Sequence, residues 1–137
     1  MRNPYSWLVS FYEVRKQTPG HRHHEIVARM RGFREYVDWE VARKKRFLHP
    51  YLVDRKGELL VDYLGRYERI ATDHEKICRL IGIEPGRLPH LGRATSMDYR
   101  DYYDGATKRK VAQCWARDLD FFGYDFDGQV GDRYALR

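Results

Sequence analysis

Apolar residues recur at steps of three and four near the start of the chain. Trp7, Leu8, Phe11 and Val14 fall on one face and Ser6 and Ser10 on another, a period that predicts an amphipathic helix over residues 4–16. Asn3 suits the N-cap, and Pro4 suits the first position because it lacks the N–H that would go unbonded there. Gln17-Thr18-Pro19-Gly20 ends the pattern and His21-Arg22-His23-His24 opens a polar connection. A short helix is expected over residues 25–30. A firmer one follows over 32–45, with Phe33, Tyr36, Val37 and Val41 on one side. Residues 51–54 and 58–64 read as a hairpin, Gly57 supplying the positive φ of its turn. Beyond Glu68, Ile70, His74, Ile77, Cys78 and Ile81 share a helical face that stops near Gly82, and residues 84–96 form a loop rich in Pro and Gly. One long helix is expected over 106–122, with Asp104 as N-cap, Val111, Trp115, Leu119 and Phe122 as buried stripe, and Gly123 as its stop. Residues 127–137 read as an irregular tail. The chain has neither internal repeats nor low-complexity segments.

The helix start carries chemistry as well as structure. Free amides behind Pro4 bear partial positive charge, and Arg2 adds a guanidinium whose fork can hold two phosphate oxygens. Ser10 could take a further oxygen if the loop curls back over the helix. The arrangement suits a nucleotide-type anion; an ordinary capped amphipathic helix would use the same residues. With 137 residues the chain is one domain by size, and 42% apolar residues allow a modest core. The 26 Lys and Arg against 20 Asp and Glu leave a net charge of +6, which favours anionic ligands without specifying a fold. Arg43-Lys44-Lys45-Arg46, the densest basic cluster, falls where it would complement a helix C-terminus. His21, His23 and His24 lack carboxylate or cysteine partners at a zinc-site spacing, so they read as a solvated loop and no metal is expected. Cys78 and Cys114 lie on helix faces among apolar neighbours and read as reduced thiols. With neither a signal peptide nor an apolar run long enough to span a bilayer, the expected location is cytoplasmic.

The opening stretch RNPYSWLVSFY resembles the RNP-x5-S-x-Y signature of sulfotransferases that use 3′-phosphoadenosine 5′-phosphosulfate (PAPS), in particular Golgi-type carbohydrate sulfotransferases and their bacterial relatives. Leu60-Val61-Asp62-Tyr63-Leu64-Gly65-Arg66-Tyr67-Glu68 is similar to that family's "VDFIGRFE" segment, and Leu88-Pro89-His90-Leu91 to its "LPHLN" loop. Tyr99-Arg100-Asp101-Tyr102-Tyr103 resembles "YREYY", and Asp118-Leu119-Asp120-Phe121-Phe122-Gly123-Tyr124-Asp125-Phe126 resembles "DIELFGYDF". The blocks follow the family's order from residue 2 to residue 126.

The resemblance implies an α/β architecture: the C-terminal part of a P-loop-like sulfotransferase fold over residues 1–126, mostly helical here, with a short hairpin or sheet remnant. It implies transfer of a sulfuryl group from PAPS to a hydroxyl or amine, on a carbohydrate acceptor. Arg2 and Ser10 would hold the 3′-phosphate. Arg93, in Gly92-Arg93-Ala94-Thr95 where many members have "NKS", would lie near the nucleotide. In the family the 5′-phosphosulfate loop, its basic residue and the usual base lie upstream of the RNP block, so no catalytic residue is identified here and this chain alone is expected to be inactive. The second strand of the hairpin would join the parallel sheet; with few neighbours, residues 59–64 would favour self-association. His90 would lie near the cofactor, or in a packed turn; Glu68 reads as a structural ion-pair partner of Arg66. Two other classes stay open: a non-catalytic nucleotide- or anion-binding remnant, and a small basic helical nucleic-acid-binding protein, for which a Lys/Arg stripe interleaved with aromatics is missing.

Overall fold

The computed structural model describes residues 1–43, 48–89 and 97–129, and the chain is mostly helical. Among the described residues six α-helices follow in order: α1 (Pro4–Gln17), α2 (His24–Ala28), α3 (Phe33–Arg43), α4 (Ile70–Leu80), α5 (Gly105–Cys114) and α6 (Ala116–Phe122). Single 3₁₀ turns stand at His49–Tyr51, Tyr67–Arg69 and Tyr99–Tyr102. No helix among the described residues is long and apolar enough to cross a membrane.

α1 begins as its sequence dictates: the Asn3 side chain accepts from Tyr5 N, and Pro4 occupies the first turn. Its buried face is rotated from the expected one. Tyr5, Leu8, Val9 and Tyr12 are buried, whereas Trp7, Phe11 and Val14 are half-buried. The tyrosines decide this, because their rings carry most of the apolar area. Tyr5 stands edge-on to Phe126 at 5.1 Å and to Tyr103 at 5.3 Å, and Tyr12 meets Phe33 at 5.4 Å and Tyr36 at 5.3 Å. α3 adds Phe33, Tyr36 and Val37 to the same core. Val111, Trp115, Leu119 and Phe122 close it from the other side, the stripe anticipated for that segment.

Two elements depart further from expectation. The helix expected over 106–122 breaks at Trp115, whose φ of −103° and ψ of 20° separate α5 from α6. Its ends are as anticipated, with Asp104 capping α5 and Gly123 at φ 65° ending α6. The hairpin turn forms: Asp54 Oδ1 accepts from Lys56 N and Glu58 N, and Gly57 takes φ 84°. Its pairing stops after a single antiparallel bridge, Val53 with Leu59, flanked by Leu60 N to Leu52 O at 2.9 Å. The strand expected to join a parallel sheet finds none, since the other pairing among the described residues is one bridge, Tyr124 with Gln129. A strand without a neighbour cannot satisfy its backbone, and residues 61–64 stay irregular. That second bridge closes a tight turn over Asp125, whose Oδ1 accepts from Asp127 N and Gly128 N at 2.8 Å. Of the tail expected over 127–137, residues 130–137 lie outside the described residues.

Candidate functional site

Residues distant in sequence converge on the start of α1. The Met1 ammonium donates to Gly65 O at 2.5 Å, and Tyr67 N donates to Met1 O at 2.6 Å, so the first residues run beside 65–67. Asn3 N donates to Glu68 Oε1 at 2.8 Å and Asn3 Nδ2 to Asp125 O at 2.9 Å. Tyr124 Oη donates to the other Glu68 oxygen at 2.7 Å. Burial and this bond to Glu68 push the Tyr124 phenol well above its ordinary range. Tyr103 Oη donates to Tyr5 O at 2.9 Å, and Tyr99 Oη to Phe126 O at 2.5 Å. Glu68 is thus tied to Asn3 and Tyr124.

These bonds alter the anion site read from the sequence. A carboxylate already occupies the helix start through Asn3 N, and Tyr5 N is satisfied by the Asn3 side chain. Guanidinium groups beside the helix offer the positive charge instead. Arg2 donates from Nε to Ser6 Oγ at 3.1 Å and lies over the Tyr67 ring at 4.3 Å. Burial draws the Arg2 guanidinium below its ordinary range. It lines a cleft of about 610 Å³ between the α1 start, the 63–67 segment and α4. Trp7, Leu48, Tyr67, Ile70 and Ile77 make this wall largely apolar, while Met1, Tyr63, Arg66, Asp73 and His74 add polar groups. The Asp73 carboxylate is committed to its own chain: it accepts from Arg66 N at 2.6 Å and pairs with Arg69 at 3.0 Å. Burial alone would raise it, but bonds from Arg66 N, Tyr63 and Arg69 outweigh that and hold it below its ordinary value. Arg66 is fully buried with its guanidinium over the Tyr124 ring at 4.9 Å.

Of the residues expected to hold an anion, Arg2 is on the cleft. Ser10 is not: it is half-buried on α1, one turn beyond Ser6, and Ser6 is the hydroxyl that meets Arg2. Arg93 and His90 lie outside the described residues, as do 44–46 of the basic cluster. His24 Nδ1 meets Arg15 O at 2.7 Å, and His23 packs edge-on to Trp39 at 5.3 Å and meets Arg43 Nη2 at 3.3 Å. Both are therefore packed rather than merely solvated. Cys78 and Cys114 are free thiols, the first buried and the second half-buried.

No protein-family model, curated protein or solved structure matches this chain. What bears on function is therefore the cleft itself. Sequence reasoning missed Ser6 as the partner of Arg2, and Tyr67 and His74 as cleft residues. The spacing of Arg2 and Ser6, one helical turn, was a usable signal for the first; His74 was hidden in an apolar stripe that reads as core.

Proposed function

We propose that the cleft binds a nucleotide bearing a 3′-phosphate and that the chain is a segment of a PAPS-dependent sulfotransferase directed at a carbohydrate acceptor. The observation that carries this is Arg2, set on a concave wall beside Ser6 and an aromatic ring. The segments that resemble the family also meet one another at the start of α1, through Asn3, Glu68, Tyr124 and Asp125. That mutual contact supports reading them as one unit.

The residues present suit one end of PAPS. A cleft of about 610 Å³ falls within the usual range of about 300–1,000 Å³ for small-molecule sites, and its apolar and aromatic lining can take a purine. Arg2 would hold the 3′-phosphate by charge-assisted hydrogen bonds, with Ser6 orienting the guanidinium. PAPS supplies the sulfuryl group when bound. No clamp or base for the 5′ end is assigned among the described residues, so no transfer step is derived, and a non-catalytic nucleotide-binding remnant is the second reading.

Calorimetry tests the assignment. 3′-Phosphoadenosine 5′-phosphate should bind more tightly than adenosine 5′-phosphate, and Arg2→Ala should cost about 1.5–3 kcal/mol of that binding, the range for a hydrogen bond to a charged group. Equal affinity for the two nucleotides, or unchanged affinity in the variant, would overturn it.

A further inference from the structure

α4 carries His74 on the cleft wall and Cys78 one turn later, and Cys78 Sγ lies 3.5 Å from His74 Nε2. Cys78 is 4% exposed, so this sulfur anchors one edge of the imidazole from the interior side. A thiol that donates S–H to Nε2 makes that nitrogen the acceptor and leaves the ring proton on Nδ1. The carboxylate of Asp73, next in sequence, bonds Arg66 N and Arg69. Arg2 lines the same cleft, so an anion there would meet its guanidinium, whereas that of Arg66 is buried over the Tyr124 ring.

We propose that His74 is a ligand-binding residue of this cleft, donating from Nδ1–H to a phosphate or sulfate oxygen of the anion held by Arg2, and that Cys78 is the positioning residue that fixes its tautomer. The proposal rests on the nucleotide reading above and adds a recognition group which that reading does not contain. Among uncharged replacements, asparagine keeps an amide where Nδ1 stands and glutamine keeps one where Nε2 stands. The two variants therefore report which ring nitrogen touches the ligand.

The probe is 3′-phosphoadenosine 5′-phosphate, titrated calorimetrically into the whole chain. His74→Gln should weaken binding about tenfold or more, the loss expected when a hydrogen bond to a charged group goes. His74→Asn should stay within about threefold of the parent protein on the same scale. Ring ¹⁵N spectra supply a readout that a purely structural role would not move: the parent protein should show His74 as the Nδ1–H tautomer, and Cys78→Ala should show a mixture. Equal affinities for the two His74 variants, or an Nε2–H tautomer in the parent protein, would overturn the assignment. If the parent protein binds no nucleotide, the functional reading falls separately, and the same spectra recorded with sodium sulfate decide this inference. A sulfate-dependent shift at Nδ1 upholds it, and an unmoved signal rejects it.

Discussion

Arg15 and Glu40 form an ion pair within the core, 1% and 3% exposed, between α1 and α3. Tyr36 Oη accepts from Arg15 at 2.8 Å and donates to Glu40 at 3.2 Å, so the hydroxyl bridges the pair, while Arg15 Nε has no hydrogen-bond partner among the described residues. The Phe11 ring lies 5.0 Å and the Trp39 ring 5.7 Å from the guanidinium carbon. Arg43 also lies 3.7 Å from Glu40, so removing Glu40 is the change that strands Arg15 without water, whereas removing both leaves only the partly exposed Arg43. Glu40→Ala should therefore cost about 3–5 kcal/mol in urea unfolding. The pair Arg15→Met with Glu40→Leu should come close to the parent protein in stability. A single variant as stable as the double one would show that the interior is wetter than this geometry implies. Spacing gives no hint of a buried Arg15, since the last turn of a helix is an ordinary place for a solvated arginine.

The cap of α5 is the clearest case at the level of an element. Asp104 Oδ1 accepts from Ala106 N at 2.9 Å and Thr107 N at 2.8 Å, and Thr107 Oγ1 accepts in return from Asp104 N at 2.9 Å. The bond from Thr107 N is the main cause, with the Thr107 hydroxyl and Arg34 adding to it, of an Asp104 carboxyl drawn down to about 2. A depressed carboxyl stabilises the folded state above its unfolded value of 3.8, and that contribution is lost as pH falls through about 2. Asp104→Ala should accordingly lower Tm at pH 5 to 7, with the gap to the parent protein shrinking between pH 4 and 2. A gap that stays constant across that window would mean that the carboxylate is not what holds the cap. α4 behaves oppositely. Its pattern is amphipathic, yet Ile70 and Ile81 are 51% and 64% exposed, and the residues it buries are Asp73 and Cys78.

Across the whole molecule, burial is uneven. α1, α3, α5 and α6 enclose one aromatic-rich core, while α4 and the 48–89 stretch around it leave Leu60, Ile70, Leu80, Ile81 and Ile83 open to solvent. Few buried apolar contacts mean a low cost of local opening. Native-state hydrogen exchange should find amides of α4 opening at much lower free energy than those of α5 and α1. Comparable protection in all three would show that α4 is held by packing which the exposed positions do not suggest. Because α4 forms one wall of the cleft, ligand binding there should raise its protection before that of any other helix.

What could be read along the chain was whatever depends on neighbours in sequence. The Asn3 and Asp104 caps, the stop at Gly123, the Asp54–Gly57 turn and the stripe from Val111 to Phe122 are all set by spans of a few residues, where periodicity and turn chemistry act directly. The Arg2 end of the cleft was legible for the same reason. Tertiary contact decided the rest. It turned α1 onto its tyrosines, joined Arg2 to Ser6 rather than Ser10, gave the helix start to Glu68, and left residues 61–64 without a strand partner. It also set His74 on a cleft wall instead of in a core. An amphipathic face records only that apolar surface exists; what covers it depends on elements brought up from elsewhere in the chain, and no local spacing encodes them.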